Sequence, residues 1–325
     1  MAQPNVRELI VAGPLAGVSI AYRNQSYIGD RVFPIIDGVS PKSKIARYLK
    51  GAWFRDEAGI RGPGSRARRG GYPADYIDVL LKEYAFAKEV TDEDRRAVNV
   101  AGGPPMRPDQ DAIEFCADKI DLGKERRVAS LVLTGTWSGV AGEDAEGLWA
   151  AGAGCTFIDD VETRIETIRK NTGFRPNVLM LSANNLPELK QESSVLDKIK
   201  YTERGIVTAP LLAAMFELEE CLIGDAIYSS AVETAAGDDF TGANVWETNA
   251  NKGAAFLFYR PQRPGLKMPS PGYQARGRYE DGSPRRNTMW RENAEHQDVY
   301  ESAEETHIVQ TGADLGFLWY DTIAT

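Results

Sequence analysis

The sequence predicts an α+β protein in which a compact body carries long extended limbs. Three observations predict this class. Glycine and proline interrupt residues 1–43 too often for long elements, and a sparse segment with an arginine-rich turn follows. Apolar residues at helical spacing then predict one long helix over 108–134. From residue 157 onwards short helical and strand patterns alternate, and the last 50 residues have mixed β patterns.

The composition favours a globular protein and argues against several classes of function. Of the 325 residues, 42% are hydrophobic and 26% are charged, so a sizeable core can form. A net charge of −9 argues against a protein that wraps nucleic acid through its overall field. No apolar run approaches the ~20 residues of a membrane span. We therefore expect a soluble protein that is made in the cytoplasm.

The first part of the chain predicts an arm followed by a limb. The opening residues lack the basic leader and the uninterrupted apolar stretch of a signal peptide, so residues 1–43 are interpreted as an arm. Within it, Val32-Phe33 is a predicted anchor point for another surface. We call residues 44–90 the limb, with strands predicted at 44–54 and 74–88. A lone hairpin is marginally stable in water, so the limb must rest on another surface, in its own chain or in a neighbour.

The rest of the chain predicts the body. Pro108 and Asp109 are a helix start signal, and apolar residues at three- and four-residue spacing continue the helix to about residue 134. The pattern "FIDDVETRIETIRKNTG" predicts a helix that stops at Gly173. "PNVLMLS" and "AAFLFYRP" predict buried strands.

Signals for catalysis, cofactor binding and metal binding are weak. The chain has two histidines, His296 and His307, and no Gly-x-Ser-x-Gly motif of a nucleophile turn. The glycine-rich stretch "RGPGSRARRGG" lacks the Lys-Ser/Thr end of a phosphate-binding loop. The three cysteines are too widely spaced for a metal site. We therefore expect no catalytic residue, no cofactor and no metal.

Two charged stretches of opposite sign stand far apart in the sequence. The arginine tip, residues 55–71 of the limb, contains Arg55, Arg61, Arg66, Arg68 and Arg69. The acidic segment, residues 292–305, has six acids and no lysine or arginine: Glu292, Glu295, Asp298, Glu301, Glu304 and Glu305. In a homo-oligomer, the tip of one subunit can rest on the acidic segment of the next, which is a ring-forming contact. A solvated loop and a solvated acidic face remain alternatives at this stage.

Several stretches resemble the major capsid proteins of tailed bacteriophages. "SIAYRNQSYIGDRVFP" resembles the N-terminal arm of that family, and "YLKGAWFRDEAGIRGPG" with "EYAFAKEVTDEDRR" resembles its extended loop, the E-loop. "ERRVASLVLTGTWSG" resembles the end of its spine helix. The stretch that begins "TRIETIRKNTGFRPNVLMLSANNLPELKQ" resembles its axial domain. "AAFLFYRPQRPGLKMPSPGYQARGRY" resembles the return into its peripheral domain.

The resemblance implies a phage major-capsid fold with five segments. They are an N-terminal arm at 1–43, the E-loop at 44–90, a peripheral domain at 91–156 with its spine helix at about 108–134, an α/β axial domain at 157–260, and a return to the peripheral domain at 261–325. By the same resemblance, the limb reaches an adjacent copy of the chain. Because no helical scaffolding segment precedes the arm, scaffolding would be a separate protein, or the chain is a mature form, or none is needed.

The resemblance also implies a structural role. We expect a non-enzymatic virion protein that self-assembles into hexamers and pentamers of an icosahedral shell. The shell would enclose double-stranded DNA without sequence-specific binding and without a membrane, with separate scaffolding, portal and decoration proteins as further partners. An encapsulin-like nanocompartment shell has the same fold and is the first alternative. A soluble α/β enzyme with an unrecognised site is the second.

Overall fold

The computed structural model describes residues 23–98, 106–152, 154–199, 206–232, 240–248, 252–265 and 267–323. Residues 1–22 of the predicted arm therefore lie outside the described residues. The helices are α1 (Gly29–Val32), α2 (Lys50–Trp53), α3 (Asp92–Val98), α4 (Pro108–Thr134), α5 (Phe157–Thr172), α6 (Asn185–Leu189), α7 (Ser193–Ile199) and α8 (Ala209–Met215). A short 3-10 helix lies at Ala313–Leu315.

The strands belong to two five-stranded sheets and two short hairpins. They are β1 (Ile35–Asp37), β2 (Lys42–Tyr48), β3 (Ala74–Leu80), β4 (Lys82–Thr91), β5 (Glu143–Asp144), β6 (Val178–Ser182), β7 (Glu220–Gly224), β8 (Ile227–Ser229), β9 (Gly242–Asn244), β10 (Ala254–Phe258), β11 (Gly272–Arg276), β12 (Arg285–Glu292), β13 (Gln297–Gln310) and β14 (Gly316–Tyr320). The mixture of long antiparallel strands and helices confirms the predicted α+β class.

The longest strand, β13, organises the first sheet. It pairs antiparallel with β4 along one edge and with β12 and β11 along the other. β1 extends the sheet as a parallel neighbour of β11. The long helix α4 lies across β13 and β4. Its bounds agree with the predicted helix, because both its proline start and its apolar spacing are local signals.

Strand alternation gives the first sheet two different faces. Side chains of β13 point alternately to opposite sides. Tyr300 donates from its hydroxyl to Asp109 Oδ1 of α4 at 2.9 Å, and Glu304 shares Arg285 with Asp121 of α4. Even-numbered residues of β13 therefore face α4. The odd-numbered residues form the opposite side, which we call the outer face.

The second sheet has the strand order β5, β14, β10, β6, β7 and is covered on both sides. Alternate residues such as Leu179 and Leu257 belong to a core with α5 and α8. Their neighbours Met180 and Phe256 belong to a second core with the C-terminal half of α4. Burial on both sides explains why these strands read as continuous apolar runs. Gly173, with φ 76°, ends α5 in the left-handed conformation as predicted.

The structure corrects the boundary of the predicted arm. Val32 and Phe33 are completely buried in the body of their own chain. β1 pairs with β11, and the buried Gln274 side chain donates to the Gly29 and Phe33 carbonyl oxygens at 2.9 and 3.0 Å. The region around α1 and β1 is therefore part of the body. The frequent glycine and proline residues mark tight turns there, and they do not mark an unattached arm.

The limb also differs in detail from its prediction. β2 pairs antiparallel with β3, which confirms a two-stranded limb. The first strand ends at Tyr48 and the helical turn α2 follows, where a strand was predicted up to residue 54. The returning strand, predicted as one element, is two strands, because the chain changes partner at Leu81. β3 pairs with β2, whereas β4 pairs with β13.

Candidate assembly interface

The base of the limb is fixed to the outer face of the first sheet. Val79 is buried with Tyr273, Ala275 and Val309, and Ile45 packs against this cluster. The Leu80 backbone N–H donates to Nδ1 of His307 at 3.2 Å. Burial of the ring and the nearby Lys82 lower the pKa of His307, which favours the neutral ring that can accept this bond. The base therefore orients the whole limb.

Beyond its base the limb carries large apolar side chains that remain exposed. Tyr48, Trp53 and Tyr72 form an aromatic cluster with ring centroids 5.6–6.2 Å apart. Ile60 is fully exposed and Phe54 is 66% exposed. Lys50 forms an ion pair with Asp314, and the Phe54 ring lies against Gly173. Lys267 of the body also lies over the rings of Tyr48 and Trp53, 5.8 and 5.3 Å from their centroids.

The contacts at α2 give a testable expectation about limb motion. Lys50 and Asp314 are both about half exposed, so their ion pair contributes at most ~1 kcal/mol. We expect Phe54→Ala combined with Asp314→Ser to leave the unfolding midpoint nearly unchanged. The same change should accelerate amide hydrogen exchange in β2 and β3 several-fold, because the limb loses two of its outer contacts. Unchanged exchange would mean that the base and the Lys267 contact hold the limb without them.

The arginine tip extends into solvent. Arg55, Arg61, Arg66, Arg68 and Arg69 are all exposed. Across the part of the chain that the structure describes, none of the five takes part in an ion pair. Five cations without carboxylate partners are available for contact with another molecule. The prediction that the tip is a subunit contact stays a prediction.

The structure divides the predicted acidic segment into two sets. Asp298 binds Arg95 and Arg291, and the buried Glu304 binds Arg285 with 3.0 Å between Oε2 and Nη2. These two carboxylates face α4 and already bind arginines of their own chain; the predicted acidic patch as a whole stays a prediction. Glu301 and Glu305 lie on the outer face, with Glu292 at the end of β12 and Glu295 in the turn between β12 and β13.

Strand β4 adds two further acids to the outer face. Glu83 lies directly opposite Glu305, and Glu89 lies opposite Val299, and directly opposite residues share one face of a sheet. On this face β4, β12 and β13 together carry one arginine, Arg286, which binds Glu83 and Glu301. The sequence segment alone did not include Glu83 and Glu89. Only the pairing of β4 with β13 places them there.

The acidic outer face also has exposed apolar positions. Ala85 and Ala87 of β4 are exposed, and Trp290 of β12 is 40% exposed. Ala303 and Val299 lie between them on β13 and are buried. Small side chains flanked by carboxylates suit a partner that combines cations with large apolar groups. The outer half of the limb has this combination.

A charged network joins the ends of four elements on the α4 side. Arg95 of α3 contacts Asp109 of α4, with 2.6 Å between Nη2 and Oδ1, and also Asp298 of β13. Arg291 of β12 binds Asp92 through two bonds of 2.6 and 2.7 Å. The hydrogen bond from Arg291 lowers the pKa of Asp92 from 3.8 to about 2.

This network predicts how acid affects stability. Because the pKa of Asp92 is lower in the folded state, its contribution is complete above about pH 4 and is lost as the pH falls towards 2. Arg291→Met should therefore make the urea midpoint less dependent on pH between 4 and 2. The exposed cation Lys190, changed to Met, is the control and should leave that dependence as in the wild type. An unchanged slope in the Arg291 variant would contradict the assignment.

A buried carboxylate joins α1, α4 and the turn that follows β9. Glu125 of α4 is 1% exposed. Its Oε1 accepts from the Ile28 backbone N–H at 2.9 Å and from Nε1 of Trp246 at 2.7 Å, and its Oε2 accepts from the Gly29 N–H at 2.7 Å. Burial raises the pKa of Glu125, against the effect of these three donors. This group fixes the point where the arm meets the body.

Similarity to known proteins agrees with this architecture. No family model matches the chain. The major capsid protein of Burkholderia phage BcepMu is 29% identical over 244 residues, which cover 73% of this chain and 75% of the relative. The crystal structure of a phage-related protein from Bordetella bronchiseptica RB50 covers 94% of both chains with a TM-score of 0.68 and 22% identity. The capsid structure of cyanophage P-SCSP1u covers 98% of this chain and 95% of its own, with a TM-score of 0.62 and 10% identity.

The chain has the fold of phage major capsid proteins. The predicted resemblance to the tailed-phage family is therefore confirmed. The five domain boundaries themselves stay predictions, apart from the shift around α1 and β1.

Within the described ranges, neither a metal site nor a membrane-spanning helix is present. No group of three or more histidine, cysteine or acidic residues there is arranged to hold a metal ion. None of the helices in the described part combines the length and the apolar character that a membrane crossing requires. Relatives named as capsid proteins indicate a structural role for this capsid fold.

Proposed function

We propose that this chain is the major capsid protein of a tailed phage and assembles with copies of itself into a closed shell. One observation carries this proposal: the body has the capsid fold and its limb has an apolar and cationic outer half that the described residues of the chain leave exposed. Such a limb gains stability only across an obligate interface, typically of ~2,000 Å² or more. A nanocompartment shell is not favoured, because the relatives are phage capsid proteins.

The arginine tip supplies the contact between copies. Arg66, Arg68 and Arg69 of one subunit bind the acidic outer face of the next, where Glu83 and Glu305 stand opposite each other. Two like charges directly opposite on neighbouring strands destabilise a sheet. Arg286 of the same chain binds Glu83, whereas Glu305 forms no ion pair within the described residues, so a neighbour's guanidinium would relieve the repulsion at Glu305. Each exposed pair contributes ~0–1 kcal/mol, but the contact repeats around a ring and so selects the partner and its registry.

The shell encloses double-stranded DNA within the virion. Hexamers and pentamers are its building units, and the subunit is synthesised in the host cytoplasm. A net charge of −9 fits a protein that encloses DNA without sequence-specific binding, since a packaging motor would supply the energy of confinement. Portal and decoration proteins would be further partners, and scaffolding would come from a separate protein, would belong to an immature form of the chain or would not be needed. No step of this function requires a catalytic residue, a cofactor or a metal.

Electron microscopy of the purified protein tests the proposal, combined with size-exclusion chromatography at low and moderate salt. We expect closed shells, or rings of five and six subunits, after expression of the chain with its neighbouring genes. Nucleic acid inside the particles would distinguish a phage capsid from a nanocompartment that holds enzymes. A species that stays monomeric or dimeric in every co-expression would overturn the proposal and favour an enzyme with an unrecognised site.

A further inference from the structure

Strand β12 presents a long and regular open edge. All eight of its residues pair with β13 in one unbroken register. Among the described strands β12 pairs with β13 alone, so the backbone groups along its other edge have no strand partner. Natural proteins protect such edges with lysines, prolines or bulges. The sequence of β12, "RRNTMWRE", has no lysine or proline, and its register has no bulge. The edge can therefore receive another strand.

The arginines of β12 are already compensated within their own chain. Each of the three forms ion pairs with two carboxylates. The pairs are Arg285 with Asp121 and Glu304, Arg286 with Glu83 and Glu301, and Arg291 with Asp92 and Asp298. Glu292, the one acid of the strand, accepts hydrogen bonds from Trp290 and Gln297 and forms no ion pair within the described residues. The edge therefore presents no uncompensated cation to an approaching strand.

Large apolar side chains are exposed on both faces of this edge. Met289 lies on the α4 side and is 61% exposed, and Trp290 lies on the outer face and is 40% exposed. Beside Met289, a groove with an open volume of about 100 Å³ runs between β12 and α4, with Ile113 and Tyr300 among its lining residues. A strand added to β12 would cover apolar surface on both faces of the sheet.

A second copy of β12 is complementary to the first in one register. Two antiparallel copies related by a two-fold axis keep their faces on the same sides, so directly opposite residues must both have even or both have odd numbers. Pairing centred on Met289 places Met289 opposite itself, Thr288 opposite Trp290, and Arg286 opposite Glu292. Opposite charges that face each other stabilise a strand pair. Nε of Arg286 is buried without a hydrogen-bond partner in the described residues, so this arginine retains a donor.

Other self-pairings bring like charges together. The one other register that overlaps seven residues of β12 is centred on Thr288, and it would place Arg285 opposite Arg291. Among the described strands β4 also pairs with β13 alone. The charged residues of β4 are lysines at even positions and glutamates at odd positions: Lys82, Lys88, Glu83 and Glu89. Self-pairing of β4 could therefore place only like charges opposite each other, which destabilises a strand pair.

We infer that β12 pairs antiparallel with β12 of a second copy of this chain across a two-fold axis at Met289. The inference rests on the proposed shell function and adds a second contact to it. The arginine tip makes a heterologous contact, which closes a ring, whereas pairing of β12 uses the same patch on both subunits. A closed shell also needs contacts between neighbouring rings, and the β12 pair supplies such a contact. Backbone hydrogen bonds provide its affinity, and the alternating side chains determine its register.

Disulfide formation at the two-fold axis tests this register. Directly opposite residues have Cα atoms about 4.5–5.5 Å apart, which a disulfide can bridge. Because Cys116 lines the same groove, Cys116→Ala and Cys155→Ala are present in every protein of this test. We expect Met289→Cys to form disulfide-linked dimers under mild oxidation, measured on non-reducing gels of the purified full chain.

The matched control is Asn287→Cys, an exposed position on the same strand and the same face. In the proposed register residue 287 lies roughly 13 Å from its own copy, because the two copies are offset by four residues. Met289→Cys should therefore give at least tenfold more dimer than Asn287→Cys. Equal yields at the two positions, or no dimer at residue 289, would overturn the inference.

Electron microscopy of two further variants separates this inference from the proposed function. Met289→Lys places two ammonium groups opposite each other at the axis, whereas Met289→Leu keeps an apolar side chain. We expect Met289→Lys to reduce closed shells at least tenfold while rings of five and six remain, and Met289→Leu to assemble as the wild type does. Shells at wild-type yield from Met289→Lys would overturn the inference. A wild type that forms neither rings nor shells would count against the proposed function, and the disulfide test then decides the pairing by itself.

Discussion

Replacing Glu125 by alanine is expected to lower the free energy of unfolding by about 3–5 kcal/mol. The change leaves three buried donors without their acceptor: the Ile28 and Gly29 N–H groups and Nε1 of Trp246. Each unsatisfied buried donor costs ~1–3 kcal/mol. A domain has a total stability of ~5–15 kcal/mol, so this loss is a large fraction of it. Urea unfolding of the purified chain, followed by tryptophan fluorescence, measures the effect.

Two variants of the same helix make this measurement specific. Glu125→Gln keeps one carbonyl acceptor, but its NH2 group is a donor that faces other N–H donors. We therefore expect a loss of unfolding free energy between that of Glu125→Ala and zero. Glu114→Ala removes an exposed carboxylate of α4 and should change stability by less than ~0.5 kcal/mol, as most surface changes do. A Glu125→Ala protein within ~1 kcal/mol of the wild type would show that water or other groups replace the acceptor.

Reversing three charges of the arginine tip is expected to prevent assembly at low salt. In the variant Arg66→Glu, Arg68→Glu and Arg69→Glu, the tip repels the acidic outer face of the neighbouring subunit. The repulsion recurs at every equivalent contact between subunits. A small unfavourable energy per contact therefore adds up around the ring and prevents the ring from closing. The fraction of protein in particles, measured by size-exclusion chromatography and electron microscopy, should fall at least tenfold. Salt should reduce the difference, because exposed charges are screened beyond about 10 Å at 0.1 M.

The complementary reversal tests which surface receives the tip. Glu89 and Glu305 both belong to the outer face. Adding Glu89→Lys and Glu305→Lys to the reversed tip should restore a substantial part of the assembly. Reversal of Glu217, a carboxylate on the side of the second sheet, should restore none. If the reversed tip assembles normally, or if Glu217→Lys restores assembly equally well, the assignment of the acidic outer face is wrong.

The sequence determined those elements whose signals are local. Pro108 and the apolar spacing that follows it predict α4 from residue 108 to about residue 134, as observed, and Gly173 ends α5 where a left-handed residue is needed. The runs "VLMLS" and "AAFLF" are strands because both of their faces are buried. The resemblance to phage capsid proteins came from the order of these elements along the chain.

Tertiary structure decided the rest, because it depends on which distant strands pair. The acidic segment is contiguous in sequence, yet alternation along β13 turns Asp298 and Glu304 towards α4 and Glu301 and Glu305 to the outer face. Glu83 joins that face only through the register of β4. Glu125 looks like an ordinary helix surface residue until α1 and Trp246 cover it. Local periodicity determines what an element is, whereas the side that it buries depends on partners far away in the chain.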